Sequence, residues 1–321
     1  SFTEVFSRTL MRRAEEDSRI AAITAAMTDG TGLAEFERRF PERFFDVGIA
    51  EQHAVTFAGG LSKAGLKPVT AIYSTFIQRA VDQLIHDIAL QNIPAVFVLD
   101  RAGAVPGDGE THQGIFDIAL LRPVPNVSLL APASAKELEL CLNWALEQNC
   151  PVVIRYPKAF VPSEFDEFAQ PLSTGCGVLL KDPASGSSYA EDGVGQSPTD
   201  KILLVCTGGI FPEVLQAARE LKKYGKTADI YNLRFLKPLD KPRFLSAASV
   251  YERVLFIEDG IRIGGIGTYL ESLLDRYQDG KKTGVSGFPD RFLSQGTRAE
   301  IVQDAHLDGV SLAQKALKMW E

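Results

Sequence analysis

The sequence predicts an α/β fold made of two doubly wound domains in tandem. Short, continuously apolar runs such as Ala-Val-Phe-Val-Leu at 95–99 read as strands buried on both faces of a parallel sheet. Apolar residues at i, i+3, i+4, i+7 spacing lie between these runs, as at Ile77, Ala80, Val81, Leu84, Ile85 and Ile88. The alternation stops after Pro157, gives way to a polar Gly/Ser-rich tract at 184–200, and resumes at Ile202. The expected division is a first domain at 1–160, a linker with a polar insertion at 161–200, and a second domain at 201–321.

Phe2, Val5, Phe6 and Leu10 predict a first helix over 2–17, opened by a capping box from Ser1 to Glu4. Strands are expected at 20–27 and 44–47, then a small apolar helix from Glu51 to about Gly65. A strand at 68–73 precedes the helix at 77–88, which Asn92 and Pro94 stop. Strands at 95–99 and 127–130, a helix at 135–146 and a strand at 152–156 complete the domain. The second series reads as strand 202–205, helix 211–224, strands 228–231 and 254–257, helix 266–277, strand 283–286 and a last helix at 312–318.

Composition narrows the function. The chain has 321 residues, 45% hydrophobic and 23% charged, with a net charge of −7 and no run of Lys and Arg, which argues against a nucleic-acid partner. No apolar run approaches the ~18 residues of a membrane span, so no membrane association is expected. Cys141, Cys150, Cys176 and Cys206 form no CxxC pair and read as buried thiols. The chain begins at Ser1, without Met and directly in a helix. It therefore reads as a fragment, and the lack of a targeting segment carries no weight.

Ligands of open parallel sheets sit at the carboxyl ends of strands, and the informative polar groups fall there. Glu51 follows the 44–47 strand at the start of an apolar helix. Burial there would raise its pKa and suit it to share a proton near neutrality; the plainer reading is an acid favoured by the helix dipole. Tyr73, Phe76 and Arg79 follow 68–73, and the Gly-rich loop 100–113 follows 95–99. In that loop His112 reads as a proton donor or acceptor, or as an ordinary surface histidine. Arg101 and Arg155 read as a phosphate clamp, or as structural ion pairs. Gly107-Asp108-Gly109 resembles the opening of a magnesium–diphosphate motif, but no Asn-Asn pair follows about thirty residues on, so no metal is expected on this chain. His53 is placed near the site; His86, in a packed helix, and His306 read as structural. Residues 257–265 end a strand and open a helix, a conceivable anion site. The second domain otherwise reads as structural and dimer-forming.

Phe-Asp-Val-Gly-Ile-Ala-Glu-Gln-His-Ala-Val-Thr-Phe-Ala (45–58), Ala-Ile-Tyr-Ser-Thr-Phe-Ile-Gln-Arg-Ala-Val-Asp-Gln (71–83), Asp-Arg-Ala-Gly…Asp-Gly-Glu-Thr-His-Gln-Gly (100–114), Asn-Leu-Arg-Phe-Leu-Lys-Pro-Leu-Asp (232–240) and Phe-Pro-Asp-Arg-Phe-Leu-Ser-Gln-Gly-Thr (288–297) resemble the 1-deoxy-D-xylulose-5-phosphate synthases among transketolase-like enzymes. The resemblance covers nearly the whole chain except about 180–200. It implies a pyrimidine-binding domain for thiamine diphosphate followed by a transketolase C-terminal-type domain. It also implies that Mg2+ and the cofactor's diphosphate are bound by an N-terminal domain missing here, without which the chain is inactive. Under it, Glu51 contacts N1′ of the aminopyrimidine, Phe76 packs on that ring and Arg79 sits close by. Tyr73, Arg101 and Arg155 meet the glyceraldehyde 3-phosphate phosphate and the donor carboxylate, and Asp108 and His112 lie at the reacting carbon. The implied reaction condenses pyruvate with glyceraldehyde 3-phosphate, releasing carbon dioxide. A homodimer in a bacterial cytoplasm or a plastid is implied too. Rival readings are a beta subunit of a 2-oxo acid dehydrogenase first component, a split transketolase subunit, and a non-catalytic dimerisation module.

Overall fold

In the computed structural model, which describes residues 1–185 and 201–321, the apolar runs become β1 (Ile20–Thr24), β2 (Phe44–Asp46), β3 (Lys67–Tyr73), β4 (Val96–Asp100), β5 (Ser128–Leu130) and β6 (Val152–Arg155). Then follow β7 (Val178–Leu180), β8 (Lys201–Cys206), β9 (Thr227–Asn232), β10 (Phe235–Lys237), β11 (Arg253–Ile261) and β12 (Lys282–Phe288). Every residue of β1 and β4 is buried, the apolar ones as expected of strands covered on both faces and the terminal Thr24 and Asp100 with them.

The first sheet has the order β10-β5-β6-β4-β3-β1-β2, and the second β12-β11-β8-β9-β7. Neighbours run parallel except β10 on β5 and β7 on β9, each at a sheet edge. Helices Phe2–Glu16 and Ala135–Ala145, capped by the side chains of Ser1 and Ser134, share one buried cluster on a face of the first sheet, through Phe6, Leu10, Leu138 and Leu142. Helix Glu51–Lys63 sits in a different cluster, where Ala54, Val55 and Ala58 join Ile23, Ile72 and Leu84. Two α/β parallel-sheet domains were expected and are present.

Three details depart from expectation. The stretch 161–200 is not simply a linker: Phe168 packs on Phe211 at 5.0 Å, and β7 completes the second sheet by pairing with β9. Most of the polar tract falls in 186–200, outside the described residues. The helix expected at 77–88 is irregular, a tight 3-10 turn (Phe76–Ala80) and one α turn (Val81–Gln83) running into a wider π-helical turn (Leu84–Ala89). Asn92 then takes the left-handed φ of +49° before Pro94.

The third departure concerns 232–240, which read as part of the last domain. Its β10 crosses over and joins the first sheet. The preceding residue, Arg234, is buried; its Nε donates to Glu137 Oε1 at 2.5 Å, and its Nη atoms donate to the carbonyls of Glu167, Phe168 and Gln170. Asn232 Nδ2 donates to Glu137 Oε2 at 2.8 Å. These three carbonyls lie between the two domains in sequence, so this one guanidinium fixes the crossing.

Candidate active site

The turn before Glu51 is built by its own sequence. Asp46, at the end of β2, accepts from Ala26 N at 2.7 Å, Gly48 N at 2.9 Å and Thr28 Oγ1 at 3.1 Å. Gly48 has φ +71°, a conformation L side chains rarely adopt. The chain then enters helix Glu51–Lys63, and Glu51 is its first residue. Only 2% of Glu51 is exposed, and Arg79 Nη1 donates to its Oε2 at 3.2 Å. The buried Ala54, Val55 and Ala58 stand behind it. A carboxylate held this way has one cationic partner and a rigid, dry support.

The end of β3 supplies an aromatic row. Tyr73 stacks on Phe76 with centroids 5.9 Å apart and 19° between planes. His112 meets Phe76 edge-on at 5.4 Å. Arg79 lies over the Phe76 ring at 5.6 Å, and Arg101 over the Tyr73 ring at 3.6 Å. Such cation–ring contacts hold a guanidinium in place without consuming its donors. Burial pushes the Tyr73 phenol above its ordinary value, despite the opposing pull of Arg101.

The end of β4 supplies the loop. Asp100 is buried, accepts from Thr3 Oγ1 at 2.8 Å, and is pushed up to about 6 by burial. Arg101 adopts φ +61° and donates from Nη1 to Gly30 O at 3.0 Å. The loop closes on itself by a Gly103–Gly114 bridge and by Gln113, whose side chain accepts from Val105 N at 2.8 Å and donates to Val105 O at 3.2 Å. Asp108 Oδ2 sits 2.7 Å from Lys158 Nζ and 3.5 Å from Arg101 Nε. Partial burial works against ionisation of Asp108, but Lys158 and then Arg101 outweigh it and hold the carboxyl below the usual range.

The second domain reaches this site. Gly107 N donates to Gly296 O at 3.0 Å, and Gln295 Nε2 to Gly107 O at 3.0 Å. A cavity of about 470 Å³ opens beside Phe76, Arg79, Thr111 and Gln113, and is closed on one side by Phe292. Phe292 is 72% exposed and meets Phe116 edge-on at 6.2 Å. The expectation that the second domain is only structural and dimer-forming therefore needs correction.

Of the residues expected here, Glu51, Tyr73, Phe76, Arg79, Arg101, Asp108 and His112 form one connected neighbourhood. Arg155 does not join it. Its side chain is wholly buried between the domains, with Nε 2.8 Å from Asp117 Oδ2 and Nη1 2.6 Å from Asp259 Oδ1. Nη2 donates to Asp259 O at 3.3 Å, and Thr207 Oγ1 donates to Asp259 Oδ1 at 2.6 Å. Burial raises Asp117 despite Arg155; for Asp259 the same burial is outweighed by Arg155 and Thr207, and its carboxyl lies low. Here Arg155 forms the structural ion pairs that were the alternative reading, and its guanidinium offers no exposed surface to a ligand. Lys158, three residues on, faces Asp108 together with Arg101. The sequence reading did not name Lys158, although its place just past the end of β6 could have found it.

Other expectations are also corrected. His53 is exposed and stacks on Phe57 at 5.7 Å, and none of its ring contacts reaches the aromatic row. His86 is on the surface, with Nδ1 2.8 Å from Asp82 Oδ1. The conceivable anion site at 257–265 is filled from within: Glu258 accepts from Ile266 N at 2.9 Å and Gly267 N at 3.1 Å. A Cβ on Gly265 would stand 2.2 Å from that carboxylate.

Comparison with known proteins agrees with this geometry. Residues 1–163 match the family model for the transketolase pyrimidine binding domain, and 193–311 the transketolase C-terminal domain. A 1-deoxy-D-xylulose-5-phosphate synthase of Treponema pallidum (strain Nichols) is 54% identical over 98% of this chain and 48% of its own length. One from Desulforudis audaxviator (strain MP104C) is 45% identical over 92% of this chain and 44% of its own. The chain thus spans about half the length of the curated relatives it matches. A solved split-gene transketolase, described as an inactive beta4 tetramer, superposes with a TM-score of 0.83 at 26% identity, covering 100% of this chain and 99% of that one. Transketolase from Campylobacter jejuni shares the fold alone, at a TM-score of 0.77 and 17% identity over 98% of this chain and 46% of that one. The chain belongs to the transketolase-type family of thiamine-diphosphate enzymes and carries its pyrimidine-binding and C-terminal domains.

Proposed function

We propose that this chain is the pyrimidine-binding and C-terminal part of a 1-deoxy-D-xylulose-5-phosphate synthase, which joins pyruvate to glyceraldehyde 3-phosphate with loss of carbon dioxide. The observation that carries the reading is the buried Glu51 carboxylate, linked through Arg79 to the Phe76 ring, in a chain 54% identical to an enzyme of that name. A flat, hydrogen-bonding heterocycle fits this pair: Phe76 offers an aromatic face, and Glu51 a dry acceptor or donor at its edge. Thiamine diphosphate, when bound, supplies the nucleophilic carbon that adds to the 2-oxo acid and takes up the electrons left by decarboxylation.

This chain's residues then do four things. Glu51 holds or shares a proton at N1′ of the aminopyrimidine, with Arg79 limiting how that carboxylate turns. Phe76 orients the ring. Tyr73, Arg101 and Lys158 receive the acceptor's phosphate, with Lys158 taking the place first expected of Arg155. His112 and Asp108 stand where a proton must move at the reacting carbon. The cofactor's diphosphate and Mg2+ belong to an N-terminal domain outside this chain, and the working assembly contains at least two copies.

A second reading has a specific observation in its favour. The split-gene transketolase subunit matches this chain end to end, so a separate partner could supply the diphosphate site. One experiment separates them. The purified chain is assayed with thiamine diphosphate, Mg2+, pyruvate and glyceraldehyde 3-phosphate, with and without a diphosphate-binding half supplied in trans. The synthase reading expects no turnover alone, pyruvate-dependent carbon dioxide release with the half present, and loss of that release in Glu51→Ala at unchanged unfolding temperature. Turnover by the chain alone refutes the missing-domain reading. Activity with a ketose phosphate donor, and none with pyruvate, transfers the chain to the transketolase reading.

A further inference from the structure

The loop after β1 carries two glycines, Gly30 and Gly32, and they are there for different reasons. Gly32 has φ +74°, a conformation that favours glycine on its own. Gly30 has no such φ. Its lack of a side chain is explained by contact instead. A Cβ at position 30 would lie 1.7 Å from Tyr73 Oη and 2.8 Å from Tyr73 Cζ, inside the phenol itself. The same residue's carbonyl accepts from Arg101 Nη1 at 3.0 Å. Arg101 in turn lies 3.6 Å over the Tyr73 ring. Three residues distant in sequence are thus locked face to face. Gly30 touches the phenol with its bare Cα and the guanidinium with its oxygen. Among the described residues the Tyr73 hydroxyl has no hydrogen-bond partner, so its O–H is free to donate to a ligand.

We propose that Gly30 is a positioning residue that sets the Tyr73–Arg101 pair, and so determines the preference for a phosphorylated acceptor over its unphosphorylated counterpart. This rests on the reading above, in which Tyr73 and Arg101 meet the acceptor's phosphate. A side chain at 30 drives the phenol away. The ring cannot move without uncovering Arg101, whose guanidinium rests on it. A displacement of about 1 Å at a positioning group is enough to cost orders of magnitude in rate. A small loop residue that touches no substrate therefore controls specificity through two that do.

The test uses the complete enzyme, this chain with its diphosphate-binding domain. In Gly30→Ala, KM for glyceraldehyde 3-phosphate rises at least roughly tenfold, and the affinity for inorganic phosphate, measured by titration calorimetry, falls by a similar factor. The kcat/KM for glyceraldehyde itself changes by less than about twofold, because that acceptor makes no phosphate contact. In a Tyr73→Phe background, which lacks the obstructed oxygen, the Gly30→Ala penalty shrinks, as coupled neighbours require. Equal losses on both acceptors, or an equal penalty in both backgrounds, overturn the proposal. Should Gly30→Ala fail to fold, Gly30→Ala with Tyr73→Ala must fold and bind phosphate as Tyr73→Ala does; a further loss overturns the proposal as well. A wild-type enzyme that neither binds phosphate nor prefers the phosphorylated acceptor refutes the functional reading itself, and the proposal with it. A wild type that does both, with Gly30→Ala unchanged, refutes the proposal alone.

Discussion

Replacing Arg155 by Leu separates its two possible roles. Both of its carboxylate partners are buried, and the guanidinium itself has no exposed surface. Removing it leaves Asp117 and Asp259 without their direct ion-pair partner, with only the Thr207 hydroxyl and the more distant Arg298 still favouring the Asp259 carboxylate. Breaking one side of a buried ion pair costs about 3–5 kcal/mol, most of it from the uncompensated charge left behind. At roughly 2.1 cal/mol/K of unfolding entropy per residue, that is a fall of roughly 4–7 °C in unfolding temperature for the 321-residue chain. Calorimetry of the 321-residue chain at pH 7 would read it directly. Adding Asp117→Asn and Asp259→Asn to Arg155→Leu should recover much of the loss, since the orphaned charges go too. The pH dependence gives an independent sign. Without Arg155, burial dominates at Asp117 and raises it further, while Thr207 and Arg298 oppose burial at Asp259, so it is chiefly Asp117 that binds a proton more tightly in the folded state than in the unfolded one. The variant therefore regains stability as pH falls from 7 toward 5. Refutation would be an Arg155→Leu protein within about 1 kcal/mol of wild type, the range of surface changes, especially with a raised KM for the acceptor. Arg155 would then be a ligand group after all.

The complementary change is Lys158→Met. Its ammonium is partly exposed and faces Asp108, so unfolding temperature should hold while KM for the phosphorylated acceptor rises by roughly tenfold, the worth of a charge-assisted hydrogen bond; initial rates over an acceptor series check this, and an unchanged KM removes Lys158 from the site. Glu258→Gln tests the buried cap of helix Ile266–Tyr277. Burial lifts Glu258 from 4.5 to about 8 despite its two amide donors, so wild-type stability declines as pH rises from 4.5 through 8 and levels off above, whereas the Gln variant lacks that component. Urea unfolding from pH 5 to 9 should show the two curves converging toward the acid side; parallel curves would show that the carboxyl is already ionised across the range.

Much of this was visible in the residues before any coordinates. That Glu51 is buried was legible because the helix it opens is small and apolar, which leaves little water behind the carboxyl. Tyr73, Phe76 and Arg101 followed from the rule that ligands sit at strand ends. What failed was direction. Arg155 and Lys158 both end the same strand region, but alternation places Arg155 on the face of β6 shared with Val153, toward the second domain, and only the packed structure shows that this face is sealed. Strands β7 and β10 were missed because each pairs antiparallel at a sheet edge, outside the strand–helix alternation that marked the others. Phe292 and Gly30 were missed because their roles depend on chain segments far away in sequence, where no local pattern records them.

The crossing of β10 bears on how this protein can be dissected. A cut in the polar tract at 186–200 would appear to release the first domain intact. It would also strip the antiparallel neighbour from β5, baring a row of backbone donors and acceptors, and take Arg234 away from the buried Glu137. An open edge of that kind invites pairing with other chains. A first-domain piece made for binding studies is therefore expected to aggregate unless residues 232–237 travel with it, tethered or added as a peptide. The unit that can be cut free is larger than the one that the order of strands and helices along the chain suggests.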